Sequence, residues 1–441
     1  MNSKINLILV LTASFFGLIL FQSNLIAQDI LPSQPTKIQG IILPTPSNGC
    51  QLIDKIEEAK QLLENSSPLQ FKEEPRKDKR GKIVKKKGQP VMEMIKKEIS
   101  LAILDIKICQ IFEKRYWLNM SEINKASDLR RKYLPNPDNL PIFRSDNPNE
   151  EFDVINNWWN SFNSDWSIAI NRAVDNRYAV VADKYLMLND DLAYPEDRKG
   201  QKYSDVVYVP YSPALKDKAL ITAGEKFLND HVRDAFEELI VAGVRSIAFP
   251  DRLVADIMIQ EFVKNIFLTE QTDPKMMILS TDGGKELVER VFIRLGANGE
   301  KAFRYTVSKT GASGLGQIMP KTYSNPNKDP NKRGALEKYP SAGLNKNVDI
   351  GRVDVKNGIK ATALILEMKL SEIEAKVRTS SKAKKIWSSK TPEQKEEAIA
   401  ASYNGGSSKY KYLTGNISTA VTETVLFVRK FRMIRDLNLF N

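Results

Sequence analysis

The chain of 441 residues has one histidine, His231, and two cysteines, Cys50 and Cys109. That scarcity excludes zinc centres built from several His or Cys ligands. A Ser-His-Asp triad would have to use His231, which stands between Asp230 and Val232 in a charge-rich helical segment, where a solvated surface role is expected. No internal repeat is visible, which sets repeat architectures aside. The two cysteines leave two readings open. They form one disulfide across a long loop, or they are separate thiols with Cys109 in the apolar stripe of a helix.

Length and charge are in better supply. The chain is long enough for two or three domains with full cores. Its formal net charge of +12 gives a basic surface, which attracts anionic polymers: nucleic acid, anionic lipid or the acidic polymers of a bacterial wall. The N-terminus narrows that choice. Lys4 precedes an apolar run from Ile5 to Phe21, and Ala27 is a small residue suited to signal-peptidase cleavage, although Leu25 is not. Residues 1–27 therefore read as a signal peptide or an uncleaved N-terminal anchor. Both place the working part outside the cytoplasm, periplasmic, extracellular or wall-associated. Nucleic acid is then not an expected partner, and membrane association runs through the N-terminal segment. Residues 28–48, rich in Pro, Gln and Ser, read as a linker.

Residues 50–245 read as a mainly helical accessory region of unassigned role. A helix is expected from Cys50 through Leu63. The stretch Lys72–Lys87 is dense in Lys and Arg, a solvated loop or a wall- or membrane-binding basic patch. The spacing of Ile95, Ile99, Ile103 and Ile106 predicts a helix over Val91–Lys114. Trp158, Trp159 and Trp166 read as core or inter-domain packing near one helix, with stacking on sugar rings as the alternative. Val206–Val209 reads as a short strand, and Pro213–Val244 as a long helix.

From Pro250 the pattern sharpens. Leu253, Val254, Ile257, Met258, Phe262, Ile266 and Phe267 predict a helix over 251–270, with Pro274 helping to stop it. Glu270 at its end is a candidate general acid, because a partly desolvated carboxyl gains the raised pKa that this role needs. Glu300 is the alternative. It follows the turn Ala297-Asn298-Gly299 and starts an exposed segment. The decapeptide from Gly311 to Pro320 has the glycines of a tight loop entering a helix, with Gln317 among apolar neighbours. Further on stand Ala400-Ala401-Ser402-Tyr403-Asn404-Gly405-Gly406 and Glu423-Thr424-Val425-Leu426-Phe427-Val428.

Taken in order, these three marks resemble the soluble lytic transglycosylase (SLT) family of the lysozyme-like superfamily, over about residues 250–435. The resemblance implies a mainly α fold: a C-terminal lysozyme-like SLT catalytic domain (250–441) preceded by the mostly helical region. It implies a peptidoglycan glycan strand as substrate, cut between N-acetylmuramic acid and N-acetylglucosamine by a single Glu acting as acid and then base, leaving a 1,6-anhydro end. No metal or organic cofactor is implied. Tyr403 would stand beside the catalytic carboxyl. Ser308, Gly311, Ala312, Gly314 and Gln317 would line the sugar groove, and Asn404 would order its loop. The chain departs from the family pattern at four places: Gln271 follows Glu270 where Ser is usual, Gly316 replaces Met, Ser402 is inserted, and Phe427 replaces Tyr. Local environment favours Glu270, whereas spacing counted back from Gly311 favours Glu300. No second carboxylate stands out near the groove motifs. Two other readings stay open: a lysozyme-like hydrolase in the same groove, and a non-catalytic wall-binding protein that keeps the fold.

Overall fold

The computed structural model describes residues 50–121, 177–189, 201–308, 310–406 and 422–440, with short strands between 142 and 174 and single positions between 190 and 200. The expected signal or anchor and the linker lie outside the described residues, as do Trp158 and Trp159. No described helix is long and apolar enough to cross a membrane.

Helix α1 (Leu52–Asn65) comes first, as expected. The strands follow: β1 (Phe71–Pro75), β2 (Lys85–Lys86), β3 (Gln89–Pro90), β4 (Met92–Asp105), β5 (Gln110–Asn119), β6 (Ile142–Phe143), β7 (Asp153–Asn156), β8 (Trp166–Ile170), β9 (Ala173–Val174), β10 (Tyr178–Leu188) and β11 (Tyr203–Tyr208). Strands β1, β4, β10 and β11 lie side by side in that order, all antiparallel, with β5 also paired to β4. β6 to β9 form a second, smaller sheet.

The mainly helical reading of residues 50–245 is therefore corrected. Val91–Lys114 is two strands and a turn, not a helix. Ile95, Ile99 and Ile103 recur every four residues, and four is also two strand repeats, so their spacing fits both structures. Tertiary contacts decide between them. In β4, Ile99, Leu101 and Ile103 enter one hydrophobic cluster with Tyr116, Val180 and Tyr208, while Ala102 and Leu104 enter another with Ile56, Ala59 and Leu63 of α1. A central strand covered on both faces shows an unbroken apolar run instead of alternation. Cys109 sits in the β4–β5 turn with φ of 55° and is bonded to Cys50, so the helix-stripe reading of this cysteine is also corrected. Of the three tryptophans only Trp166 is described, and it opens strand β8. The expected strand at Val206 lies in β11.

The helices follow. They are α2 (Lys218–Val241), α3 (Gln260–Gln271), α4 (Pro274–Leu279), α5 (Lys285–Asn298), α6 (Pro320–Tyr323), α7 (Ala335–Lys338), α8 (Val348–Val353), α9 (Val355–Thr379), α10 (Ser381–Ser388), α11 (Pro392–Gly405) and α12 (Thr422–Asp436). Among the described residues helix accounts for about 53% and strand for 19%, so mainly α describes them. α9 is the central helix: from Val355 to Met368 almost every residue is buried, as expected of a helix surrounded by others. The lysine-rich stretch after Ser380 packs on α9. Trp387 and Ala383 of α10 are buried, and the indole donates to Glu374 of α9 at 2.7 Å.

Two expected boundaries move. The helix predicted over 251–270 begins only at Gln260. Its apolar first half is held in a turn by the Arg245–Leu253 bridge and by Asp256, whose carboxylate accepts from the Leu253 amide at 3.0 Å. The break expected near residue 245–250 is not a structural division, since Thr45–Asn441 forms one compact unit. α2 carries Leu220 into the cluster beneath the sheet and Leu228 to Leu239 into the helical core. α2 and α5 cross backbone to backbone at Gly224 and Gly296: a Cβ at Gly224 would lie 1.8 Å from the Phe292 carbonyl oxygen. Asn298 at the end of α5 then pairs with Val209 after β11, donating to its carbonyl at 2.9 Å and accepting from its amide at 2.8 Å.

Candidate functional site

α3 delivers its C-terminus to the glycine loop. Phe262, Val263, Ile266, Phe267 and Leu268 bury its apolar face, so the end of the helix is carried into the interior, with Thr269 buried and Glu270 and Gln271 half-buried. Gln271 makes the connection. Its Nε2 donates to the carbonyls of Gly314 at 3.1 Å and Leu315 at 2.7 Å. A serine, usual here in the family, has one shorter donor and could not span both.

The loop itself is a narrow hairpin. Ser308 accepts through Oγ from the Ala312 amide at 2.9 Å and donates its own amide to the Ala312 carbonyl at 2.7 Å. Ser313 and Ile318 pair across it. Gly314 needs both its positive φ of 74° and its missing side chain, since a Cβ would lie 2.0 Å from the Arg352 carbonyl oxygen. Arg352 of α8 reaches back, donating to the carbonyls of Gly311 at 2.7 Å and Ile318 at 3.1 Å. Gln317 has φ of 46°, and its Nε2 donates to the carbonyls of Gly314 at 2.9 Å and Thr306 at 3.3 Å. Its amide nitrogen thus holds the loop, and only Oε1 is left for other partners.

Glu270 lies within this frame. Part of the residue meets solvent, yet enough protein encloses its carboxyl to change its acidity. Burial pushes the carboxyl well above its ordinary value of 4.5, the Lys430 ammonium opposes the rise, and the Glu423 carboxylate adds to it. Lys430, on α12, is itself buried and donates to the Thr272 carbonyl at 2.5 Å, just past the end of α3. Burial pulls its ammonium below 10.5, while Glu270 and Asp273 support the charged form. Tyr403 of α11 donates its hydroxyl to the Gly316 carbonyl at 2.6 Å. Burial and then the Glu270 charge raise this phenol above its usual range. Neither glutamate hydrogen-bonds Tyr403, but Glu270 is the one whose field it feels. Gly316 belongs to the same packing: a Cβ there would lie 2.4 Å from Thr362 Oγ1 and 3.3 Å from the Tyr403 oxygen. The methionine of the family pattern does not fit this backbone.

Asn404, next to Tyr403, accepts through Oδ1 from buried Thr424 at 3.0 Å. This bond ties the α11 motif to the start of α12, which carries Glu423 and Lys430. Phe427, in place of the family tyrosine, is buried in the helical core.

Glu300 is placed elsewhere. It lies in a 3-10 turn (Gly299–Lys301), and its carboxylate accepts from His231 Nε2 at 2.6 Å. His231 Nδ1 meets the Phe227 carbonyl at 2.8 Å. Both ring nitrogens donate only in the imidazolium form. The bond to His231 holds Glu300 below the usual carboxylate range, and the bond to Glu300 raises His231. Glu300 is thus an ionised partner in a peripheral pair, apart from the loop and from Tyr403. His231 is half-buried rather than freely solvated.

Sequence reasoning missed Glu423, Lys430, Gln271 and Arg352 as site residues. No second carboxylate stood out beside these motifs in the sequence, yet the Glu423 charge reaches Glu270. The signal was present, since Glu423 opens one of the three marks, but only tertiary packing of α12 on α3 brings it to Glu270. Among the described residues no group of three His, Cys, Asp or Glu side chains is arranged to hold a metal ion.

No family model, curated protein or solved structure matches the chain.

Proposed function

We propose that this protein is an exported peptidoglycan lytic transglycosylase that uses Glu270 as its single acid and base. The observation that carries the reading is the setting of Glu270: a carboxyl with a raised pKa at the end of a buried helix, locked by Gln271 to a glycine loop and faced by Tyr403. A carboxyl that stays protonated near neutral pH can act as a general acid. Protonated Glu270 gives its proton to the glycosidic oxygen as that bond breaks. The resulting carboxylate takes the proton from the 6-hydroxyl of the same muramic sugar as O6 closes onto C1. The products are a free 4-hydroxyl and a 1,6-anhydro end, and no water is consumed. Ser308, Gly311, Ala312, Gly314 and the Gln317 Oε1 form the sugar-binding rim in this reading, with Asn404 fixing the far side through Thr424. The lysozyme-like fold of residues 250–441 and export by residues 1–27 are parts of the same proposal.

One observation favours a second reading. Glu423 is a carboxylate close enough to Glu270 to raise its pKa, and two carboxylates are what a hydrolase employs. The masses of fragments from digested peptidoglycan separate the two, since anhydro ends are lighter by one water than reducing ends. Reducing ends alone would exclude the transglycosylase. No release of fragments by the parent chain would leave a non-catalytic wall-binding protein.

A further inference from the structure

One feature without a role is the basic arm between β1 and β4. From Arg76 to Pro90 the chain carries eight cationic side chains (Arg76, Lys77, Lys79, Arg80, Lys82 and the run Lys85–Lys87) and one carboxylate, Asp78. All eight cations are exposed, and among the described residues none pairs with a carboxylate. Asp78 is used within its own turn, accepting from the amides of Arg80 at 2.8 Å and Lys82 at 3.0 Å. The nearest other acids, Glu73, Glu74 and Glu93, lie at the base of the arm on β1 and β4, and Glu73 is bound to Lys202 and Tyr203.

The arm is not a loose loop. Arg76, Val84 and Val91 join three short strands through backbone bonds of 2.8, 2.8 and 2.7 Å, and β2 pairs with β3. The display is therefore fixed, and like charges held together repel one another unless a partner neutralises them. One position shows a conformational cost. The two-residue turn Lys87-Gly88 has φ of 51° and 83°, a geometry that favours Asn or Gly at the first place. A lysine there is strained, and what it adds over Asn is a charge. Beside the cations stand Ile83, 46% exposed, and Met92, 43% exposed. A polyanion such as nucleic acid or a wall polymer would neutralise the lysines but offers nothing to these apolar side chains. A bilayer surface offers both anionic headgroups and hydrocarbon.

We propose that the arm formed by residues 76–90 docks on an anionic lipid surface, its lysines and arginines meeting phosphate headgroups while Ile83 enters the interface. This assignment does not depend on the glycan-cleaving reading. The test is sedimentation of the chain from Gln28 onward, which keeps the compact unit Thr45–Asn441 and lacks the apolar N-terminal run, with vesicles of phosphatidylglycerol and phosphatidylcholine, compared with vesicles of phosphatidylcholine alone. Each cation near such a surface strengthens binding by about five-fold, so K85E/K86E/K87E together should weaken partition onto anionic vesicles by about 100-fold or more. K87N, which relieves the turn, should weaken it by about five-fold. Far-ultraviolet circular dichroism checks that both variants keep the parent fold. Sodium chloride at about 1 M, where the screening length falls to about 3 Å, should release the parent. The proposal is overturned if the parent binds neutral vesicles as well as anionic ones, or if the folded triple variant binds like the parent. Retention on heparin or purified wall without retention on anionic vesicles overturns it too, and assigns the arm to a polyanion.

Discussion

Replacing Glu270 by Gln should make the protein more stable and much less active, and the stability gain should depend on pH. In the unfolded chain the carboxyl ionises near its ordinary value of 4.5, and in the folded protein burial raises that value. At pH 4 the carboxyl is mostly protonated in both states, so Gln and Glu are nearly equivalent. Between these two values the unfolded state releases a proton that the folded state retains. The native protein therefore loses stability as pH rises through this window. Each pH unit is worth about 1.4 kcal/mol, so the ceiling at pH 7 is about 3 kcal/mol. With Lys430 beside the carboxyl sharing the titration, the expected gain for Glu270→Gln at pH 7 is about 1–3 kcal/mol. Urea unfolding of both proteins at pH 4 and pH 7 reads this directly. Loss of a general acid costs roughly 100- to 10,000-fold in rate, read by fragment release from peptidoglycan. Opposite movement of stability and activity is the signature of a carboxyl held against its solvation preference for chemistry. An equal stability difference at both pH values, or a variant less stable at pH 7, would refute the assigned environment of Glu270. Undiminished fragment release would refute its role.

Glu300→Gln should leave fragment release unchanged within about two-fold, because its partner is His231 and not the loop. Its stability effect should be small, about 0.5 kcal/mol given the exposure of the pair. The raised His231 contributes fully below 6.5, and that contribution is lost as pH rises through its folded value, so the effect should be found near pH 5.5 and be absent at pH 9. A tenfold loss of activity would argue for Glu300 as the acid. Gln271→Ala removes both bonds to Gly314 and Leu315 and should cost about 1–3 kcal/mol in thermal unfolding, with a fall in activity of tenfold or more. Gly224→Ala places a methyl 1.8 Å from the Phe292 oxygen and should destabilise by about 2–3 kcal/mol. An unchanged melting temperature would mean that α2 and α5 do not cross as closely as described.

Much of the C-terminal half was legible because its signals are local. Pro274 after α3 and the glycines of Gly311–Pro320 state their own backbone geometry. The N-terminal half was misread for a definite reason. Ile95, Ile99 and Ile103 satisfy helix and strand periodicity together, and nothing near them in the chain shows that α1 and a second apolar layer cover opposite faces of β4. The lysine-rich stretch after Ser380 hid Trp387 in the same way, since a mostly charged helix shows its burial only through the neighbour it packs on.

By itself the sequence determined the order of the groove motifs, the helix that ends at Glu270 and the scarcity of metal ligands, because these depend on residue types and short spacings. It left Glu270 and Glu300 in competition, because acidity is a property of surroundings. Tertiary structure separated them. Packing encloses one carboxyl beside Lys430, Glu423 and Tyr403, and hands the other to His231 as an ordinary ion pair. The Cys50–Cys109 bond and the β4 strand were decided at the same level, by contacts between segments far apart in the chain. Such contacts fix desolvation and charge proximity, and no local pattern encodes either.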